Sequence, residues 1–209
     1  MGNIRARREQ PVDERRLRGR GKPHPYNRRV PTIVVPYRGD AKQRLPASIR
    51  AAVAVAMLGD VVAAALEVGR VVVVTDDVEV VPPGAEALRD PGTGLGAAVS
   101  AGLAVAEGHA LVVNADVPTV TPDAIRRLAA AGLALVEAED GTTNALSLPE
   151  PAVFAPLYGR GSAARFRAHA SFATVAIPEL AADVDTQADL ERLAPFSGPR
   201  TRALVAVHA

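Results

Sequence analysis

From Pro31 onward, short Val-rich runs alternate with longer Ala- and Leu-rich segments, and that alternation leaves few folds open. Thr32-Ile-Val-Val-Pro36, Val71-Val-Val-Val-Thr75 and Leu111-Val-Val-Asn114 are dominated by aliphatic residues and only four or five residues long. Strands covered by helices on both faces read this way, because neither face needs polar residues. Leu133–Ala138 and Ala145–Leu148 continue the series, Thr174–Ile177 reads as an edge strand, and Val78–Val81 as a further short one. Between them lie segments of helical length. Ser48–Val68 has Ser48 as its expected N-cap, and a second helix covers Ala97–Glu107. A third starts at Thr121, with Pro122 at its first turn, followed by Ser162–His169 and Thr186–Leu193. In the last of these, Thr186 and Asp189 approximate a capping box. The expected fold class is α/β: a single-domain, Rossmann-like three-layer sandwich with a mostly parallel sheet. The domain is expected to span residues 31–209, behind a tail of residues 1–30.

Composition narrows the chemistry. The 209 residues are 48% hydrophobic, enough for one sizeable core, but only 3% aromatic, so Val, Ala and Leu must build it. The absence of Cys excludes disulfides, thiolate catalysis and Cys-based zinc sites, and the four His are scattered. No apolar run reaches the roughly 18 residues of a membrane span, and the N-terminus lacks the apolar stretch of a secretory signal. A cytoplasmic location without membrane partners is therefore expected. Residues 1–30 hold ten Lys/Arg against three Asp/Glu, a net +7; the whole chain is +1, so the remainder carries −6. That stretch is polar, Arg-rich and without apolar periodicity, and reads as a disordered basic tail. Without interleaved aromatics it gives no sign of nucleic-acid reading.

The loops carry the chemistry. Leu111-Val-Val-Asn-Ala-Asp116-Val-Pro118 puts Asp116 at the carboxyl end of a strand, where open α/β sheets bind ligands. A strand-end Asp is also an ordinary turn residue. Ala182-Asp183-Val-Asp185-Thr186 offers a second carboxylate pair. Carboxylates brought together from separate strand ends make a hard-oxygen site for Mg²⁺, which acts chiefly on phosphates. Arg38, Lys42 and Arg44 sit in the loop after the first strand, as partners for a triphosphate or as a solvated face. Gly92-Thr-Gly94-Leu-Gly96-Ala97 has dinucleotide-fingerprint spacing, but Glu86–Pro91 before it does not read as the required strand. It is expected to be a loop at a helix start, able to hold an anion or lie against a base. Gly159-Arg160-Gly161-Ser162, followed by Arg165 and Arg167, reads as a phosphate or carboxylate seat, or as a helix start capped by Ser162.

Together these motifs resemble the 2-phospho-L-lactate or phosphoenolpyruvate guanylyltransferases of coenzyme F-420 biosynthesis, within the GT-A-like nucleotidyltransferases. The resemblance rests on Gly141-Thr-Thr-Asn-Ala-Leu146, Tyr158-Gly-Arg-Gly-Ser162 and Asp183-Val-Asp-Thr-Gln-Ala-Asp-Leu190. Ala41-Lys42-Gln-Arg44-Leu45, Arg50 and Met57-Leu-Gly-Asp60 add to it. It implies that Asp116 and Asp185 bind Mg²⁺; in an extended run Asp183 shares a face with Asp185 and is expected to assist from behind. It implies that Thr143, Asn144, Gly159 and Ser162 hold a phosphorylated three-carbon acid, that Lys42 and Arg44 face the triphosphate, and that Gly94, Leu95 and Gly96 lie on the guanine side. The family pattern has Asn where this chain has Gly96, so restoring Asn is expected to sharpen GTP selectivity. The substrates implied are GTP and the acid, and the one protein partner considered is the enzyme that follows in the pathway.

The implied reaction passes GMP from GTP to the substrate phosphate. Its nucleophile is anionic at neutral pH, so alignment and charge neutralisation suffice, in keeping with a chain without Cys. Two other readings remain at this stage: a related nucleotidyltransferase acting on 3-phosphoglycerate, a sugar phosphate or a cofactor, and a non-catalytic nucleotide-binding protein. The tail reads as a solvated leader or as an electrostatic arm for an acidic partner, and is expected to add nothing to this chemistry. A chain starting at Val30 should keep its catalytic efficiency within about twofold of the full chain, measured by diphosphate release, since a solvated segment makes no transition-state contact.

Overall fold

The computed structural model describes residues 30–39 and 44–208; the basic tail up to Arg29 and the loop residue Lys42 lie outside the described residues. The chain runs β1 (Thr32–Pro36), α1 (Arg50–Leu66), β2 (Arg70–Thr75), β3 (Glu86–Arg89), α2 (Leu95–Ala104), β4 (Ala110–Val113) and α3 (Pro122–Ala130). It continues through β5 (Ala134–Glu137), β6 (Thr143–Leu148), α4 (Ser162–His169), β7 (Ala173–Thr174), α5 (Pro178–Ala181), α6 (Gln187–Leu193) and α7 (Pro199–His208).

The seven strands form one sheet in the order β3-β2-β1-β4-β6-β5-β7. All pairs are parallel except those of β6, which runs antiparallel to β4 and β5. Strand order reverses between β1 and β4, so loops leaving those strands open a crevice at their carboxyl ends. The start of β6 lies at the same edge, because Ala145 pairs with Val113.

Side chains alternate across the sheet with period two. Ile33, Val35, Val71, Val73, Leu111 and Val113 pack beneath α1, α3 and α5. Val34, Val72, Val74, Ala110 and Val112 pack on the other face beneath α2 and α4, with Phe166 and Phe172. This is the expected three-layer sandwich. A third cluster, with Leu45, Val53, Met57, Val184, Leu190 and Leu193, fastens α6 to the outside of α1.

Several elements depart from the sequence reading. Glu86–Arg89 is a strand after all: it pairs with β2 at the sheet edge, mostly solvated, and so needs no apolar pattern. Arg70 makes a two-pronged ion pair with Glu86 that reinforces that edge. The glycine loop therefore does follow a strand, but the edge strand farthest from β1 on its side. Val78–Val80 is a single 3₁₀ turn, with the Asp77 carboxylate accepting the Glu79 N–H. Ser48 does not cap α1; the helix starts at Arg50 and the Pro46 carbonyl accepts the N–H groups of Ile49 and Arg50. The 97–107 helix starts and ends earlier, at Leu95 and Ala104. The edge strand near 174 covers only Ala173–Thr174, because Pro178 opens α5 just beyond.

α7 is an element the sequence reading passed over, since its apolar residues form no clear stripe. A single carboxylate holds its start. The Asp60 side chain, 1% exposed on α1, accepts the N–H groups of Arg200 (3.1 Å) and Thr201 (2.9 Å). A Cβ on Gly198 would collide with that carboxylate. Asp60→Ala leaves two helix-start N–H groups without an acceptor in a buried setting. It should lower the unfolding free energy by about 2–3 kcal/mol, read from urea unfolding, with amide exchange rising first in α7.

Candidate active site

Two carboxylate segments meet at the crevice. Asp116 follows β4, and its carbonyl accepts the Val184 N–H at 3.0 Å, which clips the 183–185 segment alongside. Val184 is fully buried in the third cluster. In an extended run its neighbours then face the opposite way, so Asp183 and Asp185 share one side. Oxygens of Asp116, Asp183 and Asp185 all lie within 4.8 Å of one another, half-buried. Ligands of one Mg²⁺ at about 2.1 Å stand about 3 Å apart when adjacent and about 4.2 Å when opposed, so a modest contraction closes this set on an ion. Asp183, expected to assist from behind, thus stands level with the other two.

The segment is anchored on its far side by the capping box foreseen from sequence. The Thr186 hydroxyl accepts the Asp189 N–H, and Asp189 Oδ2 accepts the N–H groups of Thr186 (3.0 Å) and Asp185 (3.3 Å). The Arg192 guanidinium, then the Thr186 hydroxyl, hold the Asp189 carboxyl down at about 2. It is ionised at any physiological pH, and so remains an acceptor for the loop.

Arg44 reaches the same cluster, donating to Asp185 Oδ2 at 3.1 Å from an exposed position. The cluster already draws a cation from its own chain, which fits the charge a divalent ion would meet there.

β6 ties this cluster to the loop before α4. The ladder with β5 shifts register between Val136 and Glu137, which oppose Ala145 and Thr143. Asn144 is the extra residue of the bulge, so its side chain is re-aimed out of the regular pleat. Its amide donates to the Ala181 carbonyl (3.1 Å) and to Asp183 Oδ1 (3.2 Å). Asn114, at the end of β4, donates to the Thr143 carbonyl (3.3 Å). The preceding residue does the matching work on the other side: Ser162 Oγ donates to Thr143 Oγ1 at 3.0 Å, both side chains buried. Ser162 is not the cap of α4; that position is Gly161, at φ +70°. Gly159, at φ +107°, is exposed in the turn ahead of it. Arg167 is engaged elsewhere, donating to Glu137 Oε2 at 2.6 Å and to Thr174.

The glycine loop lies next to this turn. Gly94 caps α2 with φ 109° and ψ 171°, backbone open essentially to glycine alone, and a Cβ there would meet nothing within 4 Å. Leu95 joins the apolar cluster that also holds Leu157 and Tyr158. Gly96 is closed off: a Cβ would come within 2.6 Å of Pro156 Cβ and 3.1 Å of its Cα.

Residues 38–176 match the MobA-like NTP transferase domain. The chain belongs to that family. It is a nucleotidyltransferase, and the resemblance seen in its motifs is the family found. Over 149 residues it is 39% identical to the phosphoenolpyruvate guanylyltransferase of Sphaerobacter thermophilus, covering 63% of this chain and 72% of that one. Over 176 residues it is 35% identical to the phosphoenolpyruvate guanylyltransferase of Roseiflexus castenholzii, covering 76% and 84%. The fold resembles a Desulfovibrio desulfuricans G20 protein described as a nucleotide-diphospho-sugar transferase, with TM-score 0.63, 15% identity, and 84% and 94% of the two chains covered. It also resembles a nucleotidyl transferase from Methanothermobacter thermautotrophicus, with TM-score 0.59, 16% identity, and 85% and 99% covered. No helix among the described residues is long and apolar enough to cross a membrane.

Asn114 and Asp189 escaped the sequence reading as parts of the site. Asn114 had a signal, a polar residue closing an apolar strand two positions before Asp116. The Gly96 contact also changes one expectation. Gly96→Asn does not simply supply a missing base contact, since the new side chain must displace Pro156. It should destabilise the fold by about 1–3 kcal/mol and leave the GTP-to-ATP ratio of catalytic efficiencies no higher than in the parent, read from urea unfolding and diphosphate release.

Proposed function

We propose that this nucleotidyltransferase transfers GMP from GTP to phosphoenolpyruvate, forming enolpyruvyl-diphospho-guanosine and releasing diphosphate. Identity to two proteins that carry the phosphoenolpyruvate guanylyltransferase name supports the base and the acid. The observation that carries the chemistry is the junction at β6, where Thr143 and Asn144 join the Gly159–Ser162 turn to three clustered carboxylates. The coenzyme F-420 pathway is the setting we assign to it, with 2-phospho-L-lactate as the other acid of that family.

Asp116, Asp183 and Asp185 are the residues that would hold Mg²⁺. When bound, the ion would neutralise triphosphate charge and polarise the phosphorus that is attacked. The rest is done by the chain. A phosphate oxygen of the acid attacks the α-phosphorus of GTP; the new P–O bond forms as the bond to the bridging oxygen breaks, and diphosphate leaves with that electron pair. The attacking oxygen carries charge at neutral pH, so no residue need remove a proton. Arg44 releases Asp185 and turns to the triphosphate, and Lys42 of the same loop is assigned the same role. Gly94 and Leu95 present backbone at the start of α2 to the guanine side. Gly159 offers its N–H to the acid. Ser162 and Thr143 back that turn from the interior, and Asn144 acts by holding Asp183.

The deciding experiment supplies Mg²⁺, each nucleoside triphosphate, and phosphoenolpyruvate, 2-phospho-L-lactate or 3-phosphoglycerate, and follows diphosphate. GTP with phosphoenolpyruvate should be the most efficient pair. Asp116→Asn and Asp185→Asn, nearly isosteric, should fold normally yet lose about 100-fold or more in turnover. Absence of diphosphate with GTP and every acid would overturn the assignment, as would normal turnover of both variants at low Mg²⁺. A clear preference for 2-phospho-L-lactate would replace the acid named here.

A further inference from the structure

We propose that Arg165 is a positioning residue that shapes the acid-binding turn by gripping its carbonyl groups. The inference rests on the function proposed above for the meaning of the turn, but its geometry stands alone. Arg165 projects from α4, three residues after Ser162, and its guanidinium turns back under the segment before the helix. Nε donates to the Leu157 carbonyl at 3.1 Å, Nη2 to the carbonyls of Leu157 (3.0 Å) and Tyr158 (3.1 Å), and Nη1 to that of Arg160 (2.6 Å). One planar cation therefore fixes three peptide planes within four residues.

A trans peptide points its N–H opposite to its C=O, and the described chain has no cis peptide. The three gripped carbonyls belong to the same planes as the N–H groups of Tyr158, Gly159 and Gly161. Those three N–H groups must then point away from the guanidinium. None of them donates a hydrogen bond among the described residues. Successive outward N–H groups around left-handed backbone make a concavity for an anion. The two glycines supply that backbone, at φ +107° and +70°, angles that side chains resist; the guanidinium lies at ordinary contact distance behind them, 3.6 Å (Nη2) and 3.8 Å (Nη1) from where a Cβ of Gly159 and of Gly161 would sit. The Tyr-Gly-Arg-Gly-Ser run and Arg165 thus act as one device. With its donors turned to carbonyls, Arg165 serves the acid by holding backbone donors in place, and it is not itself the charge the acid meets.

A lysine at 165 keeps the charge but lacks the fork, so it cannot bind three carbonyls in one plane. Arg165 is solvent-exposed, so its replacement leaves the core intact. Arg165→Lys and Arg165→Met should therefore behave alike. Both should keep thermal stability close to that of the parent and raise KM for phosphoenolpyruvate at least fivefold. Both should keep KM for GTP within twofold and, without any substrate, lower the backbone amide order parameters at residues 158–161 from the rigid range to below about 0.6. A Lys variant with parental KM beside a defective Met variant would make Arg165 a simple charge and overturn the proposal. So would unchanged order parameters in both. If the parent turned over no phosphorylated acid, the proposed function would fall, while the order parameters would still decide the grip.

Discussion

The site depends on how β6 begins. Among the described strands β6 alone runs antiparallel to its neighbours, so its first residues lie where β4 and β5 end. The bulge beside Val136 leaves Asn144 out of the ladder, and its amide fastens Asp183 and the Ala181 carbonyl. Thr143, one residue earlier, fastens Ser162. Two segments about forty and twenty residues downstream are thereby held to one strand end. Had β6 been parallel, Thr143 and Asn144 would lie at the opposite edge, and neither segment would have this anchor.

Charge explains why the cluster needs so much support. Three carboxylates within 4.8 Å repel one another. The fold meets this with backbone constraints: Val184 buried between two of them, the Val184 N–H on the Asp116 carbonyl, and the Asp189 carboxylate on the Asp185 N–H. Arg44 adds a cation from a long, exposed side chain. An exposed ion pair of this kind contributes little stability, typically under about 1 kcal/mol. That makes the contact easy to exchange, as the triphosphate role proposed for Arg44 requires.

Glycine works in two ways on the other side of the crevice. Gly94, Gly159 and Gly161 take backbone angles that side chains resist, and so expose N–H groups at helix starts. Gly96 has a different reason: Pro156 occupies the space its side chain would need. Where the family pattern carries an amide, this chain packs one loop against another. Under the proposed function, base recognition would then fall to the backbone and to contacts of the loop as a whole.

The sequence by itself determined the layers, because aliphatic runs buried on both faces admit few arrangements, and it determined the caps at Thr121 and Thr186, which are local hydrogen bonds. It placed Asp116 at a strand end and put Asp183 and Asp185 on one side of an extended run, since period two is a local property. It missed β3, whose residues are solvated and whose strand character comes only from pairing with β2. It missed α7, whose anchor is a carboxylate 140 residues away. Tertiary structure alone decided that Asp183 stands level with Asp116 and Asp185, that Gly96 is enclosed, and that Arg165 faces carbonyls. Each of these depends on contact between segments distant in the chain or on the turn of a peptide plane, and neither leaves a period or a composition to read.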